Sequence, residues 1–142
     1  MCHAIRNNGN CGIATMAVSA VDIALWDLKA KILDLPLALL LGMAKKKMLL
    51  YGSGGFTSYS NEQVAEQFGA WAEQGIIHFK MKIGSHPADD VERVKEARNA
   101  IGRDASLFVD ANGAYTAKEA IEKAHCFFHY GVTWFEEPVP SF

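Results

Sequence analysis

Four short apolar runs, separated by three stretches with helical signals, constrain this chain more than any other feature. Residues 48–51, 76–83, 107–109 and 132–135 read as strands. After the first, Ser60 stands three positions before Gln63, the spacing of a capping box, and opens a helix through Trp71 to Gly75. Pro87 suits the first turn of a second helix, through Val94 to Gly102. Thr116 and Glu119 repeat the capping box, and that helix closes at Gly131. Strands that alternate with helices must run parallel and bury both faces. Two closures satisfy this: an open doubly wound sheet, or part of an eight-stranded barrel. The ends of the last three strands, at Lys82, Asp110 and Glu136, lie 28 and 26 positions apart. That regularity is near the ~31 residues per unit of a barrel and favours it.

The segment before these units is helical. Ala17, Val21, Ala24, Leu25 and Leu28 recur at helical spacing within 15–33, Pro36 lies beyond the end of that helix, and 37–41 reads as a short second helix or a turn. Lys45-Lys46-Lys47 is a solvated link. The expected division is therefore a helical domain over 1–44 and a strand–helix domain over 45–142. Gly52-Ser53-Gly54-Gly55 reads as the loop after the first strand; as a phosphate cradle it misses the dinucleotide pattern.

Composition sets limits on partners. Fourteen basic against sixteen acidic residues, a net charge of −2, give no field for binding nucleic acid or an anionic membrane. Asp22, Asp27, Lys29, Lys31 and Asp34 interrupt the long apolar segment too often for a membrane span. The three cysteines, Cys2, Cys11 and Cys126, have no CxxC spacing, and the first residues lack the apolar run of a signal peptide. A reducing cytosol is the expected location.

The ends of the strands carry the unusual residues. Side chains alternate across a strand, so Lys80 and Lys82 share a face, as do Asp110 and Asn112, and Trp134 and Glu136. In either closure ligands bind beyond these carboxyl ends. Each feature alone is ordinary: Asp-Ala-Asn-Gly makes turns, and a lysine at a strand end snorkels to water. Their coincidence on three successive strands is what suggests a site. Strands ~4.8 Å apart would let Asp110 and Glu136 converge on one cation at the ~2.1 Å bonds magnesium prefers. Two ammonium groups ~6.5 Å apart on one strand would repel by ~2.5 kcal/mol at an effective dielectric of 20. That crowding is expected to make one of the lysines willing to be neutral.

FKMKIG, LFVDANG and WFEEP, in this order and spacing, resemble the second, third and fourth barrel strands of the enolase superfamily, in its mandelate racemase and muconate lactonizing enzyme branch. The stretch MAVSAVDIALWDLKAKILDLPLALLLG is similar to the segment by which that family's capping domain leads into its barrel. The resemblance implies a partial (β/α) barrel preceded by a capping-domain helix. It implies that Lys82 removes the proton alpha to a substrate carboxylate, with Lys80 lowering its pKa. Asp110 and Glu136 would be ligands of Mg2+, and Asn112 would touch the substrate or the metal's shell. Alternation leaves open whether Glu136 or Glu137 points inward; the family pattern favours Glu136. The implied substrate is a small carboxylate, a hydroxy acid or acid sugar, and the implied reactions are racemisation, epimerisation, dehydration or cycloisomerisation through an enediolate.

Family members complete an eight-stranded barrel and bring a third carboxylate ligand and a second acid/base group from later strands. The 142 residues correspond to about a third of such an enzyme. The chain alone is therefore expected to be nearly inactive, and to be a homo-oligomer or a fragment of a larger chain. A non-catalytic half-barrel that associates through its strand edges is the alternative. His125 and His129 have an i, i+4 spacing that can hold zinc, but Cys126 stands where the HExxH motif needs glutamate, so they read as outer-helix residues. His78 is expected at the bottom of the second strand and His86 in the loop after it.

Overall fold

A computed structural model describes residues 2–5 and 12–141. The chain forms two compact units, residues 1–48 and 49–142. In the first, α1 spans Cys2–Ile5, α2 Ile13–Ile32 and α3 Leu37–Leu40. Helix α2 stops where Leu33 and Asp34 turn back to the carbonyls of Lys29 and Lys31, ahead of Pro36. Cys2 and Cys126 are exposed and unbridged; Cys11 lies outside the described residues.

The second unit is β1 Gly52–Gly54, α4 Asn61–Glu73, β2 His78–Lys82, α5 Asp90–Ile101, β3 Ser106–Asp110, α6 Ala117–Phe128 and β4 Val132–Glu136. All neighbouring strands pair in parallel, in the order β1-β2-β3-β4. A doubly wound sheet reverses its strand order at a switch point, whereas a barrel adds each strand beside the last, and the observed order is the barrel's. Both capping boxes form: Ser60 with Gln63 on α4, and Thr116 with Glu119 on α6.

The core lies between the sheet and its helices. Phe79, Met81, Leu107 and Val109 point to that side and are fully buried with Val64, Phe68, Val94, Ala97 and Phe127. The alternate strand positions, Lys80, Lys82, Phe108, Asp110, Trp134 and Glu136, lie on the opposite face.

Two boundaries differ from expectation. The first strand is the glycine stretch itself, while residues 48–51 form no strand and are exposed. Gly52–Gly54 is the segment in register with Phe79–Met81. A Cβ at Gly52 would stand 2.5 Å from Trp71 Cε3, so α4 can pack this closely only because β1 has no side chain there. Helix α5 begins at Asp90, three residues beyond Pro87, after a turn closed by Asp89 N–H to the His86 carbonyl at 2.9 Å; the Asp90 carboxylate there accepts the backbone N–H of Gly84 at 3.1 Å.

Candidate active site at the carboxyl ends of the strands

Strand register sets the site. Lys82, Asp110 and Glu136 are successive partners across β2, β3 and β4, and Lys80, Phe108 and Trp134 lie one layer below. All five residues singled out in the sequence meet. Lys80 Nζ lies 2.9 Å and 3.0 Å from the two carboxylate oxygens of Glu136 and 3.2 Å from Asp110 Oδ2. Lys82 Nζ donates to Asp110 Oδ2 at 2.6 Å and to Asn112 Oδ1 at 2.9 Å. Glu136, not Glu137, takes the inward position; Glu137 instead accepts from Asn112 Nδ2 at 3.0 Å.

Opposite charge surrounds Lys80. Burial pulls the Lys80 ammonium toward neutrality, but hydrogen bonds and attraction from Glu136 and Asp110 outweigh it and hold its pKa above the ordinary lysine range. The two carboxylates prevail at Lys80 because they lie only 2.9–3.2 Å from its Nζ. Asp110, whose side chain is only 1% exposed, shows the complementary balance. Burial favours its protonated form, yet bonds from Lys82, the Asn112 amide and Lys80 keep its carboxyl below the usual range.

The donor set fits a hard cation. Two carboxylates from adjacent strands, the hard oxygen donors that magnesium takes, here share one positive charge, the Lys80 ammonium. No cluster of three or more His, Cys, Asp or Glu suited to a metal occurs among the described residues, so the set amounts to two carboxylates. His125 lies in the last turn of α6 and His129 is its C-cap residue. His78 is the first residue of β2, and His86 lies in the loop after it, as expected.

Two open hollows border the lysines of this cluster. One, of about 280 Å³, is mostly apolar and lined by Tyr51, Phe108 and Trp134 beside Lys80 and Glu136. The Tyr51 ring faces Lys80 Nζ at 5.5 Å. The other, about 410 Å³, lies beside Lys82 and Asn112 and includes Thr57 and Ser85. A larger hollow of about 690 Å³ at the opposite end of the sheet is lined by Arg98. That guanidinium is taken up by the carbonyls of Tyr130, Gly102, Ala105 and Gly131, which makes it a structural tie between loops rather than a ligand site.

Sequence reasoning missed the residues that fix the loops. Asp90, 1% exposed, accepts from the Tyr115 hydroxyl and from Gly84 N–H, joining the loops after β2 and β3. Arg93, three residues on, donates to the carbonyls of Tyr59 at 2.6 Å and Phe56 at 3.0 Å, tying down the loop after β1. Both sit on one turn of α5 facing the sheet, a position where helical spacing calls for apolar residues. Two charges on the apolar stripe were the available signal.

The family model described as "Enolase C-terminal domain-like" matches residues 63–142, and that described as "Mandelate racemase / muconate lactonizing enzyme, N-terminal domain" matches residues 3–42. Arabinonate dehydratase of Saccharolobus solfataricus is 37% identical over 136 residues, covering 94% of this chain and 36% of that protein. A mandelate racemase/muconate lactonizing enzyme-like protein from Rubrobacter xylanophilus superposes with a TM-score of 0.90 at 54% identity, over 98% of this chain and 39% of its own. L-talarate/galactarate dehydratase from Salmonella typhimurium LT2 superposes with a TM-score of 0.84 at 35% identity, over 99% of this chain and 36% of its own. A mutant dehydratase of that name, solved with magnesium and L-glucarate, gives the same TM-score of 0.84. Other relatives are named as cycloisomerases, racemases and epimerases. The chain thus spans about a third of the length of the curated relatives it matches. Its four-stranded parallel sheet is part of a (β/α) barrel, and the chain belongs to the mandelate racemase/muconate lactonizing enzyme branch of the enolase superfamily.

Proposed function

We propose that this chain carries the proton-abstracting part of a magnesium-dependent enzyme acting on small carboxylates with an acidic alpha hydrogen, of the sugar-acid dehydratase or racemase and epimerase type. The observation that carries this reading is the convergence of Lys80 and Lys82 with Asp110 and Glu136 at the carboxyl ends of three adjacent strands. In this reading Lys82, at the open end of β2, takes the alpha proton onto Nζ. Lys80, one layer below, supplies fixed positive charge to the two carboxylates. Asp110 and Glu136 would hold the magnesium ion, and Asn112 borders the substrate. Magnesium, when bound, supplies the positive charge that offsets the second negative charge on the enediolate, as is general for enolase-type sites with a lysine or histidine base. The helical unit is read as the end of the capping domain, and the substrate class follows the dehydratase names among the relatives.

Two carboxylates leave most of a magnesium ion's six positions to water, so the chain alone is expected to bind it weakly and to turn over little substrate. Calorimetric magnesium titration of the purified chain, repeated on Asp110→Asn, tests the assignment. Weak binding lost in the variant supports it; equal binding by both contradicts it. Exchange of the alpha proton of L-glucarate in D2O, followed by proton NMR, tests the chemistry. Robust magnesium-dependent exchange would overturn the expected inactivity of the isolated chain while supporting the reaction class.

A second reading rests on the sheet's edges. Among the described residues, strands β1 and β4 have no outer neighbour, and Trp134 is 59% exposed on the face opposite the helices. A module associating through these edges needs no cation, and sedimentation with and without magnesium separates the two readings.

A further inference from the structure

Glu137 follows the inward carboxylate Glu136 but turns away from the cation site, and its backbone is unusual. Its φ is 42°, and that of Asn112, on the neighbouring loop, is 47°. Asparagine and glycine adopt this region with little penalty, whereas an exposed glutamate there is uncommon. The two residues hold one another. Glu137 O accepts from Gly113 N–H at 2.7 Å, and Glu137 Oε2 accepts from Asn112 Nδ2 at 3.0 Å. Asn112 N–H in turn donates to Asp110 Oδ1 at 3.1 Å.

This arrangement fixes the sense of the Asn112 carboxamide. A carboxylate can only accept and an ammonium can only donate, so with Glu137 on one side and Lys82 on the other a single orientation satisfies both. Nδ2 faces Glu137, and Oδ1 faces Lys82 Nζ at 2.9 Å. With one N–H of Lys82 held by Asp110 Oδ2 at 2.6 Å and a second by Asn112, the third bonding direction of the tetrahedral nitrogen is set.

We propose that Glu137 is a positioning residue: by orienting the Asn112 carboxamide it aims the third bonding direction of Lys82 Nζ toward the reacting carbon. The use of that direction rests on Lys82 being the base, whereas the Glu137–Asn112–Lys82 coupling does not.

The test is NMR on the isotope-labelled 142-residue chain at one fixed pH, comparing Glu137→Gly, which relieves the backbone and removes the acceptor, with Glu137→Gln, which keeps an acceptor without charge. Circular dichroism verifies the fold. In Glu137→Gly, hydrogen exchange at Asn112 Nδ2 is expected to quicken by about tenfold or more, as for loss of a charge-assisted hydrogen bond, and the Lys82 Cε and Nζ signals to move. Glu137→Gln is expected to restore most of both. Should Glu137→Gly not fold, Glu137→Asn, which tolerates the backbone but is one methylene shorter, serves in its place. A folded variant without the acceptor whose Lys82 signals stay put overturns the proposal, as does a Gln variant indistinguishable from it. Magnesium binding left unchanged by Asp110→Asn, with the coupling intact, would sink the functional reading alone; loss of that binding in Asp110→Asn together with unmoved Lys82 signals would sink only this inference.

Discussion

Lys80 and Glu136, 56 positions apart in the chain, meet in a two-point contact, Nζ to Oε1 at 2.9 Å and to Oε2 at 3.0 Å. The same nitrogen reaches Asp110, so one ammonium on the middle of β2 ties together the ends of β3 and β4. The cluster is thereby a structural element as well as a candidate site.

Lys80→Met, which keeps the side chain's bulk, should cost more than about 1 kcal/mol, yet less than the ~3–5 kcal/mol of orphaning an isolated buried charge, because Asp110 keeps Lys82. Lys31→Met, at the exposed pair with Asp27, should change stability by less than about 0.5 kcal/mol. Urea unfolding of both variants checks the contrast.

Burial first, and then the Asp90 carboxylate, hold the Tyr115 hydroxyl's pKa above the ordinary tyrosine range. A group whose pKa is raised by folding stabilises the fold fully below its unfolded value, ~10, and that contribution falls away as pH rises beyond it. Tyr115→Phe should therefore lose about 1–3 kcal/mol near neutrality and show a shallower alkaline decline than the parent chain. Thermal midpoints between pH 7 and about 11 measure both effects.

Arg93 holds the loop after β1 through backbone carbonyls, and a lysine cannot reproduce that fork. Arg93→Lys should cost about 1–3 kcal/mol and speed amide exchange in residues 55–60 ahead of the rest of the unit. Hydrogen-exchange mass spectrometry resolves the order.

Two glycines of the same unit should respond oppositely to alanine. Gly52→Ala pushes a methyl into Trp71 and should cost about 1–3 kcal/mol. Gly69 lies inside α4, where an added Cβ would meet nothing within 4 Å, and should gain about 0.5–1 kcal/mol from the same change. Denaturation midpoints decide the signs.

Much of this fold was legible because its signals are local. Ser60 with Gln63 and Thr116 with Glu119 announce helix starts within one turn, and both boxes form as the spacing requires. Residues 48–51 misled for the same reason: an apolar run looks like a strand, whereas the real β1 is defined by what packs on it, Trp71 and Phe79, neither of which is near in sequence. Asp90 and Arg93 escaped notice because a helical pattern assigns them to a face without saying that loop backbone groups wait there.

The sequence by itself determined the alternation of strands and helices, the parallel sheet and the face on which Lys80, Lys82, Asp110 and Glu136 stand, since these follow from local capping signals, from strands that alternate with helices and from the period of two along a strand. Only the tertiary structure decided which charge meets which, and that Glu136 turns in while Glu137 turns to Asn112. Those outcomes depend on strand register and on distances of a few ångströms between residues far apart in the chain, and Coulomb energy changes steeply over that range.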